Sequence, residues 1–340
     1  MKNNNKKLTT KEKGQLFAEQ IAKHFLSVLS YSGSAWVKEW RGPSMAPING
    51  ISKKKYRYCN QFKLALVAML CGYSDPRWYT FNQIADYKGI YHKDKKWHLK
   101  EGTKGEMIYF EFPYDKVEKK NLAWEELHRL IKEEGRDPSD FFKKRRYYTV
   151  FNAEHVEGVE PYTASIHTFD THPNETVLEL AQKMGVNISY DGGDRAFYRP
   201  SNDTVHLPKA EHFFSSVAWA GTTLHELGHA SGAEKRMNRV GIVKKGIGTF
   251  DEEYAYEELV AEIISVLMCY NLGIDESEDN IRNHEAYVAS WIEDIQNKPE
   301  SLLNAIKEAQ KASDYMMNVL EPNSISSSEG ENGEVDLDVA

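Results

Sequence analysis

The sequence of 340 residues is poor in cysteine and has no long hydrophobic run. Its three cysteines, Cys59, Cys71 and Cys269, show no paired metal-binding spacing, and their odd number argues against a disulfide framework. The longest apolar run, Leu64 to Leu70, is far too short to span a bilayer. The charged N-terminus lacks the apolar stretch of a secretory signal. These absences predict a cytoplasmic protein with reduced thiols and no membrane partner.

Charge is divided unevenly along the chain, although the overall balance is only −8. Residues 1–150 hold 30 Lys+Arg and 17 Asp+Glu, a balance of +13, and the remainder has a balance of −21. The length and the ordinary hydrophobic content fit two folded domains. We therefore predict a basic domain at 1–150, an acidic domain at 151–320 and a disordered acidic tail at 321–340. The basic domain is the one expected to contact a polyanion.

The periodicity of apolar residues predicts an α+β fold. Helical spacing recurs at 14–30, 62–70, 80–87, 174–184, 212–230, 251–271 and 283–318. Strand patterns occur at 107–112, 147–151, 186–190 and 195–199, and residues 204–207, stopped by Pro208, are typical of an edge strand. The highly charged stretch 115–146 has weak periodicity and is interpreted as a linker or an insertion.

The strongest local signal is an HExxH pattern formed by His225, Glu226 and His229. Imidazoles at positions i and i+4 of a helix face the same way and can reach one Zn²⁺ at roughly 2.0–2.1 Å. Glu226 then lies where it can accept a proton from the attacking water. Gly232 suits the position after the helix, where φ is positive. The pattern predicts a catalytic zinc site, and two surface histidines on an ordinary helix are the alternative.

A catalytic zinc needs a third protein ligand. A histidine six residues after the second would fall at Lys235, so that subclass is excluded. The helix predicted at 251–271 carries Glu258 and Glu262 on one apolar face, where their like charges would repel without a cation. We assign Glu258 as the ligand and Glu262 as an acceptor for the ring N–H of a ligand histidine. Glu257 competes for the ligand position, although a solvated position is favoured for it. Zn²⁺ is the expected ion, with another divalent metal such as Mn²⁺ as the alternative.

Two further histidines of the acidic half are candidates for substrate binding. His206 lies on the predicted edge strand, to which a polypeptide substrate could add as a further strand. His284 comes at the start of the last helical region. For each of them, an ordinary surface or hydrogen-bonded histidine is the alternative.

Short runs throughout the chain also occur together in one known family. They are NQF at 60–62, GYSDPRWYTF at 72–81, KEGTKG at 100–105, YTVFN at 148–152, residues 224–232 with Arg236, and residues 254–262. In these runs and their order the chain resembles the ArdC-type antirestriction proteins of conjugative elements and phages. The resemblance implies an N-terminal domain that binds single-stranded DNA, followed by a C-terminal zincin-like metallopeptidase domain. Ala230 departs from the aromatic residue expected there, and 115–146 is longer and more charged than expected.

Cations and aromatic side chains interleave in the basic half, which agrees with the DNA binding that the resemblance implies. Aromatic faces stack on bases, and cations track the phosphate backbone. Such binding would be weakly sequence-specific and strongly salt-dependent. A solvated lysine face with tryptophans in the core is the alternative. The candidates are Trp36, Trp40, Arg41, Lys53, Lys54, Lys55, Tyr56, Arg57, Tyr58, Arg77, Trp78, Lys93 and Lys104.

Three hypotheses about function remain at this point. The first is an antirestriction-type protein that binds single-stranded DNA and cleaves an unknown protein substrate through a zinc-dependent peptidase site. The second is a DNA-binding protector whose metal site is not catalytic. The third is a cytoplasmic metallopeptidase whose basic half recruits protein partners. The presence of Glu226 argues against an idle site, because a structural zinc needs no general base.

Overall fold

The computed structural model describes residues 8–32, 46–92, 96–163, 173–213, 215–243, 252–274 and 285–322. Its helices are α1 (Thr10–Ser32), α2 (Tyr58–Cys71), α3 (Phe81–Ala85), α4 (Trp124–Lys132), α5 (Pro173–Met184), α6 (Ser216–Ser231), α7 (Val240–Val243), α8 (Glu252–Leu272), α9 (Glu285–Asn297) and α10 (Pro299–Leu320). Its strands are β1 (Ile48–Asn49), β2 (Arg77–Thr80), β3 (His98–Leu99), β4 (Glu106–Asp115), β5 (Lys120–Asn121), β6 (Phe141–Asn152), β7 (Val156–Glu157), β8 (Asn187–Ser189), β9 (Phe197–Arg199) and β10 (Thr204–His206). This mixture confirms the predicted α+β fold class.

The N-terminal half is built on a five-stranded sheet with the order β1-β2-β6-β4-β5. Strands β4 and β6 pair antiparallel over their length, from Glu106 opposite Val150 to Asp115 opposite Phe141. The predicted linker or insertion at 115–146 therefore lies between two paired strands. It holds β5, α4 and the first half of β6, and so extends one ribbon of the sheet rather than joining two domains.

Helices form most of the C-terminal half and share a core with the N-terminal helices. The largest cluster of buried apolar side chains includes Phe17 of α1, Phe62 of α2, Leu224 of α6, Ile264 of α8 and Ala309 of α10. The region 283–318, predicted as one helical element, is two helices, α9 and α10. They separate because a proline at 299 has no N–H for an interior helical bond and suits the first turn of α10.

The second sheet lies beside α6 and has the order β8-β10-β9. Strand β10 pairs parallel with β8 and antiparallel with β9. The expectation of an edge strand at 204–207 is therefore wrong, because both sides of β10 are already hydrogen-bonded. Pro208 was weak evidence for an edge, since it follows the strand and removes no donor from the ladder.

Asp203, just before β10, anchors that strand to the chain that follows α6. Its carboxylate accepts hydrogen bonds from Arg236 at 2.8 Å and from the Tyr198 hydroxyl at 2.7 Å, and Lys235 lies 2.6 Å away. Arg236 also donates to the carbonyl oxygens of Ala230 and Met184. Burial alone would raise the pKa of Asp203, but these donors lower it well below its usual range.

Replacing Asp203 with asparagine is expected to destabilise the protein at neutral pH. A carboxyl whose pKa is lowered by folding stabilises above its unfolded pKa of roughly 4, and that contribution is lost as the pH falls further. Because the site is partly solvated, we expect a loss of about 1–2 kcal/mol at pH 7 that shrinks toward pH 2. Thermal unfolding across this range measures the difference. Asp194→Asn, which changes an exposed carboxylate, is the matched control, and an Asp203→Asn deficit independent of pH would contradict this account.

Among the described residues, no helix is both long enough and apolar enough to cross a bilayer.

Candidate metal centre

Helix α6 places both histidines of the HExxH pattern on a buried surface. Ser215 caps the helix by accepting a hydrogen bond from the backbone N–H of Ala218 at 3.0 Å. His225 and His229 are 5% and 7% exposed, and their ring centroids are 4.8 Å apart. Gly228 lies between them, and a Cβ there would meet Ile264 of α8 at 3.3 Å. The absence of a side chain at Gly228 therefore lets α8 pack closely beside the two imidazoles.

Helix α8 brings the carboxylate of Glu258 between the two imidazoles. One Glu258 oxygen is 3.4 Å from His225 Nε2, and the other is 3.5 Å from His229 Nε2. One ligand atom from each of these three residues lies within 4.8 Å of the others, an arrangement that can hold a metal ion. The structure thus brings together His225, His229 and Glu258.

The Nδ1 atoms of the two histidines are each held by a further carboxylate. Glu262 Oε2 lies 3.1 Å from His225 Nδ1, and Glu257 Oε1 lies 3.3 Å from His229 Nδ1. A carboxylate on Nδ1 fixes the ring and keeps Nε2 available as the metal-binding atom. The donor set therefore fits a divalent cation with two imidazole nitrogens and one carboxylate.

Glu257 is not on a solvated face, which corrects the interpretation favoured for it. It is 2% exposed and accepts hydrogen bonds from Arg239, at 3.0 Å from Nε and 2.5 Å from Nη2. Helix α8 is buried on all sides from Leu259 to Cys269, so no solvated face was available so close to that run. The sequence did not predict that Arg239 would lie beside Glu257.

Gly232 follows the end of α6, but the reason for a glycine there is not the predicted one. Its φ is −78°, so the expectation of a positive φ is wrong. A Cβ on Gly232 would come within 2.9 Å of the Arg239 guanidinium and 2.8 Å of Ile242. The glycine is required for this close approach, through which Arg239 also donates to the Gly228 carbonyl at 2.7 Å.

Without a cation, the carboxylates around the two imidazoles stabilise their protonated forms. Burial disfavours the charged ring of His225, but Glu258 and Glu262 outweigh it and raise its pKa to about 9. Burial acts in the same way on His229, whose pKa Glu258 and Glu257 raise to about 10. Burial would raise the pKa of Glu258, but the two imidazoles hold it well below its ordinary value. A cation at the site would take over the charge that these protons supply.

Glu226 follows His225 on α6 and is 6% exposed. Its charge favours the protonated form of both imidazoles, which places the carboxylate near the centre without making it part of the cluster of three ligand atoms. The role of Glu226 as a base stays a prediction.

The two candidate substrate histidines have different outcomes. His206 is 5% exposed, lies on the central strand β10, and approaches Asp191 Oδ1 at 2.5 Å through Nδ1. Its ring stacks on Phe197 with centroids 4.7 Å apart. It therefore has no free strand edge beside it to receive a substrate. His284 lies outside the described residues.

The predicted DNA-binding residues are only partly exposed. Trp78 and Tyr56 are 2% and 4% exposed within a small core, so neither ring is open to a base. Arg77 is buried and paired with Asp75 at 2.6 Å. These three side chains lie inward because the stretches that carry them are β2 and the packed segment before α2. Trp36, Trp40, Arg41 and Lys93 are outside the described residues.

Other candidates of the basic half remain near the surface, although some have intramolecular partners. Arg57 pairs with Asp314 of α10 at 2.5 Å, and Tyr58 is half-buried at the same contact. Lys53 donates to the carbonyl oxygen of Gly50 at 2.6 Å. Among the predicted DNA-binding residues, the exposed cations are Lys53, Lys54, Lys55 and Lys104.

The chain is similar in fold to solved structures and similar in sequence to several known proteins. Crystal structures of the antirestriction ArdC protein from the R388 plasmid, one metal-free and one bound to Mn(II), align with a TM-score of 0.63 at 24% identity, over 90% of this chain and 97% of theirs. DNA primase TraC of Escherichia coli is 32% identical over 88% of this chain, which spans only 27% of that primase. The uncharacterised protein y4eC of Sinorhizobium fredii is 28% identical, over 88% of this chain and 90% of its own length.

Two family models match the two halves of the chain in order. Residues 15–151 match the N-terminal domain of anti-restriction factor ArdC, and residues 175–308 match a zincin-like metallopeptidase. The zincin-like match contains Glu226 and the three residues that could hold a metal ion, and such a domain implies a divalent metal. The matches confirm the resemblance found in the sequence, which is to an ArdC N-terminal domain followed by a zincin-like metallopeptidase domain.

Proposed function

We propose that this chain is a zinc-dependent peptidase that also binds single-stranded DNA and acts in antirestriction. The observation that supports the peptidase most strongly is the convergence of His225, His229 and Glu258 beside Glu226. A structural zinc site has no need for a buried base next to its ligands. The Mn(II)-bound structure of the ArdC protein from the R388 plasmid supports Mn²⁺ as the alternative ion.

The protein side chains divide the work of peptide hydrolysis among them. His225, His229 and Glu258 would hold the cation, which would polarise the scissile carbonyl and acidify the attacking water. Glu226 would accept the proton of that water and later deliver it to the leaving amine. Glu262 and Glu257 keep each ring oriented through Nδ1, and Arg239 holds Glu257 in place. The hydrolysis step thus depends on one base and on two outer carboxylates that position the ligands.

The DNA-binding part of the proposal rests on the charge of the N-terminal half and on its family. That half has a balance of +13 and matches the N-terminal domain of ArdC. Single-stranded DNA held by the N-terminal half would bring other proteins on the same DNA within reach of the peptidase site. The protein substrate would then be one that meets entering DNA.

Removing the metal is the first test of the peptidase. Chelation is expected to abolish hydrolysis of a mixture of proteome-derived peptides, and Zn²⁺ or Mn²⁺ is expected to restore it. The new peptide termini are counted by mass spectrometry. Cleavage that continues at the same rate in the chelated protein would contradict the proposal.

Replacing Glu257 with glutamine is expected to weaken metal binding without removing a ligand. The amide is a poorer acceptor for the His229 ring N–H and loses the charge that pairs with Arg239. Loss of an outer partner of this kind costs about 10–100-fold in metal affinity. A competition titration against a metal-binding dye measures it. Glu234→Gln, which changes an exposed carboxylate just after α6, should bind as the wild type does.

A further inference from the structure

The outer half of the ribbon formed by β4 and β6 has two different faces. On one face, Phe141 packs with Leu122 and Leu130 in a small apolar cluster under α4. The other face carries the cross-strand pairs Tyr114 with Phe142, Phe112 with Lys144, and Phe110 with Arg146. We call Phe112, Tyr114, Phe142, Lys144 and Arg146 the ribbon face. It lies beyond the small core that buries Ile108 and Phe110 near the base of the ribbon.

Cations and aromatic rings are in contact along the ribbon face. Lys144 Nζ lies 3.0 Å from the ring centroid of Tyr114, and the Arg146 guanidinium lies 5.4 Å from that of Phe112. The rings of Tyr114 and Phe142 are 5.2 Å apart, and Phe142 is 43% exposed. The face is thus a row of rings with flexible cations lying against them.

The charges of the ribbon face are not neutralised within the described part of the chain. The neighbouring Arg145 points to the opposite face and pairs with Glu111 at 2.6 Å. Among the ion pairs of the described residues, neither Lys144 nor Arg146 has a carboxylate partner. The strand alternation therefore puts Lys144 and Arg146 together on one face with free positive charge, whereas Arg145 on the opposite face is paired.

We propose that the ribbon face is where single-stranded nucleic acid docks on this protein, an inference that rests on the DNA binding proposed above. Bases stack on exposed rings, and cations beside those rings reach the phosphates. Lys144 and Arg146 are long enough to leave the rings for the backbone when a base takes their place. An acidic protein would need the cations but not the row of rings, so the combination favours a single strand. This face replaces the buried Trp78 and Tyr56 as the stacking surface.

The test is binding of labelled oligothymidylate by the full chain over a series of salt concentrations. Each phosphate contact to a single strand contributes about −0.7 to the slope of log K against log salt. Lys144→Gln with Arg146→Gln is therefore expected to reduce the magnitude of the slope by about 1.4. Phe142→Leu keeps an apolar side chain but removes the ring, and it should weaken binding about 5- to 150-fold. An abasic strand of equal length should show no such loss with Phe142→Leu.

The controls separate this surface from charge in general and from the proposed function. Lys11→Gln with Lys132→Gln removes the same charge from exposed positions on α1 and α4 and should keep the wild-type slope. If the wild type binds and the ribbon variants match it, the ribbon face is overturned while DNA binding stands. If the wild type does not bind at low salt, DNA binding itself is overturned. Ribbon variants that lose binding to polyglutamate but not to oligothymidylate would identify an acidic protein as the partner and overturn the inference.

Discussion

Replacing Glu226 with glutamine is expected to slow peptide hydrolysis by about 10²–10⁴-fold while metal binding is retained. Glutamine has nearly the same shape but cannot accept the proton of the attacking water. The three groups proposed to hold the cation are unchanged, so the metal content should match that of the wild type. Mass spectrometry of a peptide mixture gives the rate, and elemental analysis of the same sample gives the metal.

Two outcomes of the cleavage measurement and one of a restriction-protection assay on the same variant have different meanings. Loss of cleavage with full metal content supports Glu226 as the base. Cleavage at the wild-type rate would contradict the proposed chemistry. If the variant still protects DNA from restriction, that protection does not need the peptidase, and the hypothesis of a protector with a non-catalytic metal site gains support.

Replacing Glu258 with glutamine is expected to reduce metal affinity further than any change to an outer carboxylate. The neutral amide is a poor ligand, and two imidazoles alone leave the site one protein ligand short. The loss should therefore exceed the roughly 10–100-fold expected for Glu257→Gln or Glu262→Gln. Isothermal titration with Zn²⁺ and with Mn²⁺ measures all three variants under the same conditions.

This series also compares the three glutamates of α8 as possible ligands. If Glu257→Gln costs more affinity than Glu258→Gln, Glu257 is the ligand and the assignment from the distances to Nε2 is wrong. If all three variants bind as the wild type does, the site on α8 does not hold the metal. Far-UV circular dichroism on the same samples checks that each variant is folded.

The centre of the site could be predicted because its spacing is fixed by helix geometry. His225 and His229 had to lie on one face of α6, and the same rule put Glu258 and Glu262 together on α8. A helix that is apolar almost throughout has to bury its carboxylates, so these two needed a partner. The distances from Glu258 to both Nε2 atoms are what this reasoning leads one to expect.

The surroundings of the site could not be predicted, because they depend on contacts between distant segments. Glu257 is buried through an ion pair with Arg239, 18 residues earlier in the chain. Gly232 is needed for the approach of that arginine, a contact that no turn rule contains. In each case the sequence showed a residue type that fits several environments, and tertiary packing selected one of them.

The DNA-binding candidates show the same limit for aromatic residues. The composition around 53–58 and 77–78 suits a stacking surface, but Trp78 lies in a strand whose four residues are all buried. Strand alternation was the more informative signal. It separates Phe142, Lys144 and Arg146 from Lys143 and Arg145, but only once residues 141–146 are known to belong to β6, which the weak sequence pattern did not show.

The convergence of His225, His229 and Glu258 on one divalent ion is tested most directly by anomalous diffraction. Crystals grown with Zn²⁺ or Mn²⁺ and measured at the absorption edge of the metal show where the ion is bound. We expect one anomalous peak at roughly 2.0–2.2 Å from His225 Nε2, His229 Nε2 and a carboxylate oxygen of Glu258. A metal-saturated crystal with no peak between these three atoms would contradict the account.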